Sequence, residues 1–457
     1  MRTVRVPLFC SFIALVASAS AQDTAKTAID KGDSAWMIVA TALVLLMTPA
    51  LGLFYGGMVH KKNVLNTILM SFVMMGMVSI IWVLVGYSLA FGKSTNGLIG
   101  SFEYLWGHGI SVTTPYGTQT IPAALFMLFQ MKFAIITPAL ISGAIAERIK
   151  FSGYLVFMAL WSLIVYAPVA CWVWNPDGWL FKLGALDFAG GTVVHLASGV
   201  SALTLCYVIG KRKHAAVVPN NLTITLLGAG MLWFGWFGFN AGSALAMNDV
   251  AVTAFLTTHL AAAAGMLAWM GAEAMKGGKP SAIGAASGLV AGLVAITPAA
   301  GFVEPGPAIL IGLIAGVVCY AAISLKHKLG YDDALDVVGV HGVGGLFGAI
   351  LTGVFASPAV NSAVVLEGGR MGLIVKQLIA IGAVGAFAAV ASLILAKIVQ
   401  VTIGLRVSDE HETIGLDKGT HGEVGYGLDG SLVGHGVIEA PAAVAVTSGE
   451  LVGASSN

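Results

Sequence analysis

The chain has 457 residues, of which 57% are hydrophobic and 10% charged, whereas a soluble domain carries about 25% charged residues. That apolar excess calls for lipid as solvent and excludes an ordinary soluble domain. The formal net charge of +1 comes from dispersed basic residues, with no phosphate-tracking stripe, so no nucleic acid is expected as a partner.

Residues 1–21 read as a secretory signal peptide. Arg2 and Arg5 form its basic start, Pro7 to Ala17 its apolar stretch, and Ala19-Ser20-Ala21 a small-residue cleavage site before Gln22. The mature chain would then begin outside the cytoplasm; an uncleaved first helix is the competing reading. A membrane domain follows over residues 22–404. Eleven apolar segments are long enough to cross a hydrocarbon core, which takes about 20 helical residues. They fall at 35–57, 64–92, 121–147, 152–174, 188–210, 221–244, 250–272, 281–303, 306–325, 338–356 and 373–403.

Every second connection is basic: Lys61-Lys62, Arg148 with Lys150, Lys211-Arg212-Lys213, Lys276 with Lys279, and Lys326 with Lys328. The others carry little more than Lys93, Lys182 and Arg370. Lys and Arg concentrate on the cytoplasmic side, so the pattern predicts an all-α membrane protein with the N-terminus out and the C-terminus in. Residues 405–457 form a polar, Gly-rich cytoplasmic tail. Cys10, Cys171, Cys206 and Cys319 lie in or beside apolar runs with no CxxC and no Cys/His metal spacing, so neither a disulfide, a metal nor a cofactor is expected. Gly284, Gly288 and Gly292 share one helical face, a spacing that lets helices approach closely in lipid.

Polar residues inside membrane spans are expensive and usually face the bundle interior. Two stretches match each other. Asp187-Phe-Ala-Gly-Gly-Thr-Val-Val-His195 and Asp333-Ala-Leu-Asp-Val-Val-Gly-Val-His341 both place a histidine eight residues after an aspartate. The first leads into span five and the second into span ten. Five spans separate them, and an odd number reverses direction, so spans 1–5 and 6–10 read as an inverted repeat with an eleventh helix added. Sites in such folds lie at the repeat interface near the midplane, which would bring His195 and His341 together. Asp187 suits two compatible roles, an N-cap for the following helix or direct attraction of a cation. Asp333 and Asp336 read as caps. A third group is aromatic: Phe129, Gln130 and Phe133 on one helical face, then Trp236, Phe239, Asn240 and Ser243 on another. Aromatic faces pack in any core, and they also hold cations by about 2 kcal/mol when desolvated.

These residues fall within a longer series: Gly52-Leu-Phe-Tyr-Gly-Gly-Met58, Phe129-Gln-Met-Lys-Phe133, Ala144-Ile-Ala-Glu-Arg148, the first Asp/His stretch, Gly235-Trp-Phe-Gly-Phe-Asn-Ala-Gly-Ser243, and the second Asp/His stretch. In that order, from the first span to about Tyr426, the sequence resembles the ammonium transporters of the Amt/Mep/Rh family, in its bacterial Amt type. The resemblance implies eleven helices per subunit in a homotrimer of the inner (plasma) membrane, with a pore in each subunit and no enzymatic activity. It assigns ammonium recruitment to Trp174, Ser243 and Phe133 in an outer vestibule supported by Asp187. Trp174-Asn-Pro-Asp-Gly-Trp179 departs from the usual Trp followed by glycines, and Trp172 and Trp179 are nearby alternatives. Phe133 and Phe239 would form the gate, and His195 and His341, with Trp236 close by, would line a narrow pore conducting ammonia. The tail, with Gly415-Leu-Asp417 and His421-Gly-Glu423, resembles the region that meets a trimeric PII signalling protein. Two other readings share the fold: an Rh-type ammonia or carbon dioxide channel, and an ammonium sensor signalling through a cytoplasmic partner.

Overall fold

A computed structural model describes residues 28–426, apart from His214, Ala216 and Val217. The signal peptide assigned to 1–21 and the tail beyond Tyr426 lie outside the described residues. Within them the chain is helical, with only isolated two-residue bridges in place of strands. Ten helices are long and apolar enough to span a membrane, and an eleventh is shorter. In chain order they are α1 (Lys31–Met58), α2 (Lys61–Phe91), α3 (Ala123–Ile145), α4 (residues 151–174), α5 (Gly191–Ile209) and α6 (Leu222–Ala241). The remainder are α7 (Asp249–Met275), α8 (Ala282–Ile296), α9 (Pro305–Leu329), α10 (Val338–Phe355) and α11 (Gly369–Thr402).

Short polar residues set the starts. Asp30, Asn221, Asn248 and Ser281 each accept the backbone N–H three residues on, supplying one of the partners that a first helical turn lacks. The eighth span, expected over 281–303, keeps regular helix only to Ile296. Pro298 has no N–H to donate and disfavours helical geometry at Thr297. Its carbonyl instead accepts the N–H of Phe188 (3.1 Å), so the broken end of α8 supports the chain just before α5.

The helices approach closely where side chains are missing. A Cβ on Gly292 would stand 2.2 Å from the Ala261 carbonyl of α7, and one on Gly288 2.4 Å from Trp269 Cβ. Glycine on this face therefore sets the α7/α8 distance. On the other side of the bundle α1 runs against α6, where a Cβ on Gly228 would meet Phe54 N at 2.4 Å.

Three loops and the tail interlock at one end. Arg212, between α5 and α6, pairs with Glu147 after α3 (2.6 Å) and with Asp332 before α10 (2.8 Å). Burial pushes the Asp332 carboxyl up, but hydrogen bonds and charge from Arg212 outweigh it and hold that group at about 2. The described part of the tail is docked here rather than free in solvent. Glu412 pairs with Arg406 (2.6 Å) and accepts Lys213 N (2.6 Å), while Lys62 donates to the carbonyls of Glu412 and Thr413.

Candidate functional site

Each of the two aspartates caps the turn that carries its histidine. The Asp187 carboxylate accepts the N–H groups of Gly190 (2.7 Å), Gly191 (2.6 Å), Thr192 (2.7 Å) and Val193 (3.2 Å), together with the Thr192 hydroxyl. Gly190, at φ 120°, makes the bend that a residue with a Cβ rarely adopts. Asp333 accepts from Val337 (3.1 Å) and Val338 (2.7 Å). Both helices then open with a wide π-type turn, Gly191–Leu196 and Val338–Val343, and each histidine sits inside it. Such turns are rare and recur at functional sites; nothing in the Asp/His spacing announces them.

The result is a pair of nearly coplanar imidazoles meeting edge to edge. The rings of His195 and His341 are 5.3 Å apart and inclined by 21°, with Nδ1 atoms 3.2 Å from each other. Two Nδ1 atoms bond only when one carries the proton and the other accepts it. Neutral imidazoles in that arrangement leave one Nε2 as acceptor and the other as donor. His195 Nε2 is buried and has no protein partner. Trp236 lies along His195 at 5.5 Å, its Nε1 held by Thr297 Oγ1 at 2.9 Å. Apolar side chains including Leu51, Ile136, Leu140 and Val290 complete a void of about 10 Å³, room for a single water-sized molecule.

Above the pair, Phe133 and Phe239 lie 4.2 Å apart, with Phe239 6.2 Å from the His195 ring. Beyond them is a cavity of about 210 Å³ whose walls include Tyr116, Gln130, Phe133, Trp174 and Ser243. Trp174 meets Phe133 edge-on at 5.7 Å, whereas Trp172 and Trp179 pack on each other at 5.8 Å outside this wall. Ser243 Oγ donates to the Phe239 carbonyl (2.8 Å), leaving its lone pairs for a donor. Asp187 is not in this wall. It stands behind Trp174, whose Nε1 donates to the Asp187 carbonyl (3.0 Å), and borders a neighbouring hollow. Sequence reasoning missed Tyr116, which lies on a loop without periodicity and stacks on Phe126 at 3.7 Å. It also missed Thr297, whose only signal is its contact with Trp236.

A bundle of about eleven apolar helices enclosing a narrow passage, with an aromatic chamber at one end and a polar pair within, defines a multi-pass membrane transport protein. The sequence signature of the Ammonium Transporter Family matches residues 35–426. The ammonium transporter of Bacillus subtilis is 51% identical over 399 residues, covering 86% of this chain and 98% of that protein. The crystal structure of Saccharomyces cerevisiae Mep2 superimposes with a TM-score of 0.77 at 38% identity, covering 84% of this chain and 89% of that one. A structure described as "Sensor Amt Protein" does so at 0.79 and 30% identity, covering 85% and 98%. The chain belongs to the ammonium transporter family, whose members are transporters rather than enzymes.

Proposed function

We propose that this protein moves ammonium across the membrane by separating the proton from the ammonia. In this reading the cation gathers against Trp174, Phe133 and the Ser243 hydroxyl oxygen, gives up a proton at the Phe133/Phe239 gate, and crosses as ammonia past His195 and His341, with Trp236 alongside, while the proton is transferred to the other side separately or coupled to the ammonia, so that net charge moves. The observation that carries it is the 3.2 Å Nδ1 contact inside a void fit for one small molecule. A charge at the bilayer centre costs at least about 3 kcal/mol, which a neutral molecule escapes. Ammonia both donates and accepts hydrogen bonds, matching the one acceptor and one donor that the imidazole pair presents. Potassium carries no proton to give up and is rejected there.

Asp187 supports recruitment from behind the vestibule. Its lone pairs are committed to five donors, so it shapes the start of α5 and lends the chamber negative potential. The reading extends to a homotrimer of the inner membrane with the N-terminus outside and the C-terminus in the cytoplasm. The alternation of basic loops favours that orientation. The docked tail at the basic end offers a surface for a PII-type regulator.

The test is ammonium-evoked current in proteoliposomes on a solid-supported membrane, with potassium as control. Wild-type current for ammonium alone, altered in the His195→Ala/His341→Ala double mutant by loss of current or of selectivity, is expected. The neighbour described as a sensor favours one second reading, in which occupancy is reported to a cytoplasmic partner. Well-incorporated wild type giving neither current nor pH-jump uptake would establish that reading instead.

A further inference from the structure

We propose that Gln130 supplies a second oxygen ligand to the ammonium ion in the outer chamber, an inference that rests on the recruitment reading above. Gln130 lies on α3 one turn before Phe133, and both side chains border the chamber. The residue is 9% exposed, and its Oε1 is buried without a hydrogen-bond partner. An unpaired buried acceptor is unfavourable by about 1–3 kcal/mol, and native structures rarely keep one without a use.

The chemistry of the substrate supplies that use. Ammonium carries four N–H donors, and the rings of Phe133 and Trp174 attract its charge while supplying no conventional lone-pair acceptor. Ser243 offers lone pairs, its hydroxyl hydrogen being engaged with the Phe239 carbonyl. One hydroxyl oxygen leaves most of the cation's donors facing water or nothing. A half-turn about the last side-chain bond of Gln130 exchanges its oxygen and nitrogen. Since Oε1 holds no donor where it is, that turn presents a carbonyl oxygen to the chamber without breaking a bond. The amide is neutral, so it strengthens capture without trapping the cation as a carboxylate does.

The concentration dependence of ammonium-evoked current in proteoliposomes tests this with two nearly isosteric variants. Gln130→Leu removes the oxygen and is expected to raise the half-saturating concentration about tenfold, the value of one hydrogen bond to a charged group, with maximal current kept within about twofold. Gln130→Glu keeps the oxygen and adds charge, and is expected to restore or lower the half-saturating concentration. An unchanged half-saturating concentration in Gln130→Leu overturns the proposal. So does an equal fall of maximal current in both variants at constant half-saturation, which assigns the side chain to packing. Absence of saturable current in wild type is a different failure, removing the transport reading on which the proposal stands.

Discussion

Gly199 on α5 and Gly342 on α10 meet backbone to backbone: a Cβ built on Gly199 would stand 2.2 Å from Gly342 N and 2.3 Å from its Cα. This crossing lies beside the histidine pair, and Gly345 extends it, since a Cβ there would come within 2.9 Å of His195 Cβ. The imidazole contact is thus set by glycine packing between two helices that lie far apart in the sequence.

The contact is asymmetric, which makes it testable. A Cβ on Gly342 would meet Gly199 at 3.5 Å, an ordinary van der Waals distance. Gly199→Ala is therefore expected to force the helices apart, destabilising the protein by about 1–3 kcal/mol and sharply reducing ammonium current. Gly342→Ala should retain most of both. Melting temperature in detergent and current in proteoliposomes check the pair, and equal behaviour of the two variants would refute the crossing argument.

Asp187→Ala leaves four backbone N–H groups and a hydroxyl at the start of α5 without their acceptor. Each unmet donor is unfavourable by about 1–3 kcal/mol, so the variant should be poorly folded. Asp187→Asn keeps one acceptor oxygen but turns an NH₂ toward N–H groups. It should fold with a lower melting temperature and lose most ammonium current. Wild-type stability in Asp187→Asn would show that the capping matters little.

At the basic end, Asp332 is held at about 2 by Arg212 despite its burial. A depressed carboxylate stabilises the fold above its unfolded value of about 3.9, and that contribution, about 2 kcal/mol, disappears as pH falls from about 4 toward 2. The protection of the 211–213 amides, taken relative to their intrinsic exchange rates at each pH, should fall across that window in wild type. In Asp332→Asn protection should already be low at neutral pH and change little on acidification.

The tail is fastened by Asp417, which accepts Leu65 N (3.1 Å) and Asn66 N (2.8 Å) at the start of α2. Leu416 N adds a bond to Asn63 Oδ1 (2.8 Å). Asp417→Ala should release the segment, seen as several-fold faster limited proteolysis after α11, while the melting of the helical bundle shifts by only a few degrees. Unchanged proteolysis would mean that Glu412 and Lys62 suffice to hold it.

The span count was legible because a helix crossing lipid must bury a long apolar run, and the basic loops repeated at the spacing that this requires. The shortened α8 was less legible: the apolar run continues past Pro298, and hydropathy does not register a missing N–H. The proximal tail read only as polar and Gly-rich, and its docking was not legible, since Lys213 and the start of α2, which hold Glu412 and Asp417, lie far away in sequence.

The sequence by itself determined that the chain is a helical membrane protein, that its two Asp/His stretches correspond, and which family it resembles, because hydropathy, spacing and motif order are properties of the linear chain. It also pointed to the aromatic faces of α3 and α6. Only the tertiary structure decided that His195 and His341 touch through Nδ1, that Trp174 rather than Trp172 or Trp179 borders the chamber with Phe133, and that Asp187 stands behind the chamber as a cap. Those outcomes depend on the π-type turns, on the glycine crossing of α5 and α10, and on the hydrogen bonds that fix each ring. The glycine crossing and the His195–His341 and Trp236–Thr297 hydrogen bonds couple residues that are distant in sequence, and local patterning carries no record of their approach.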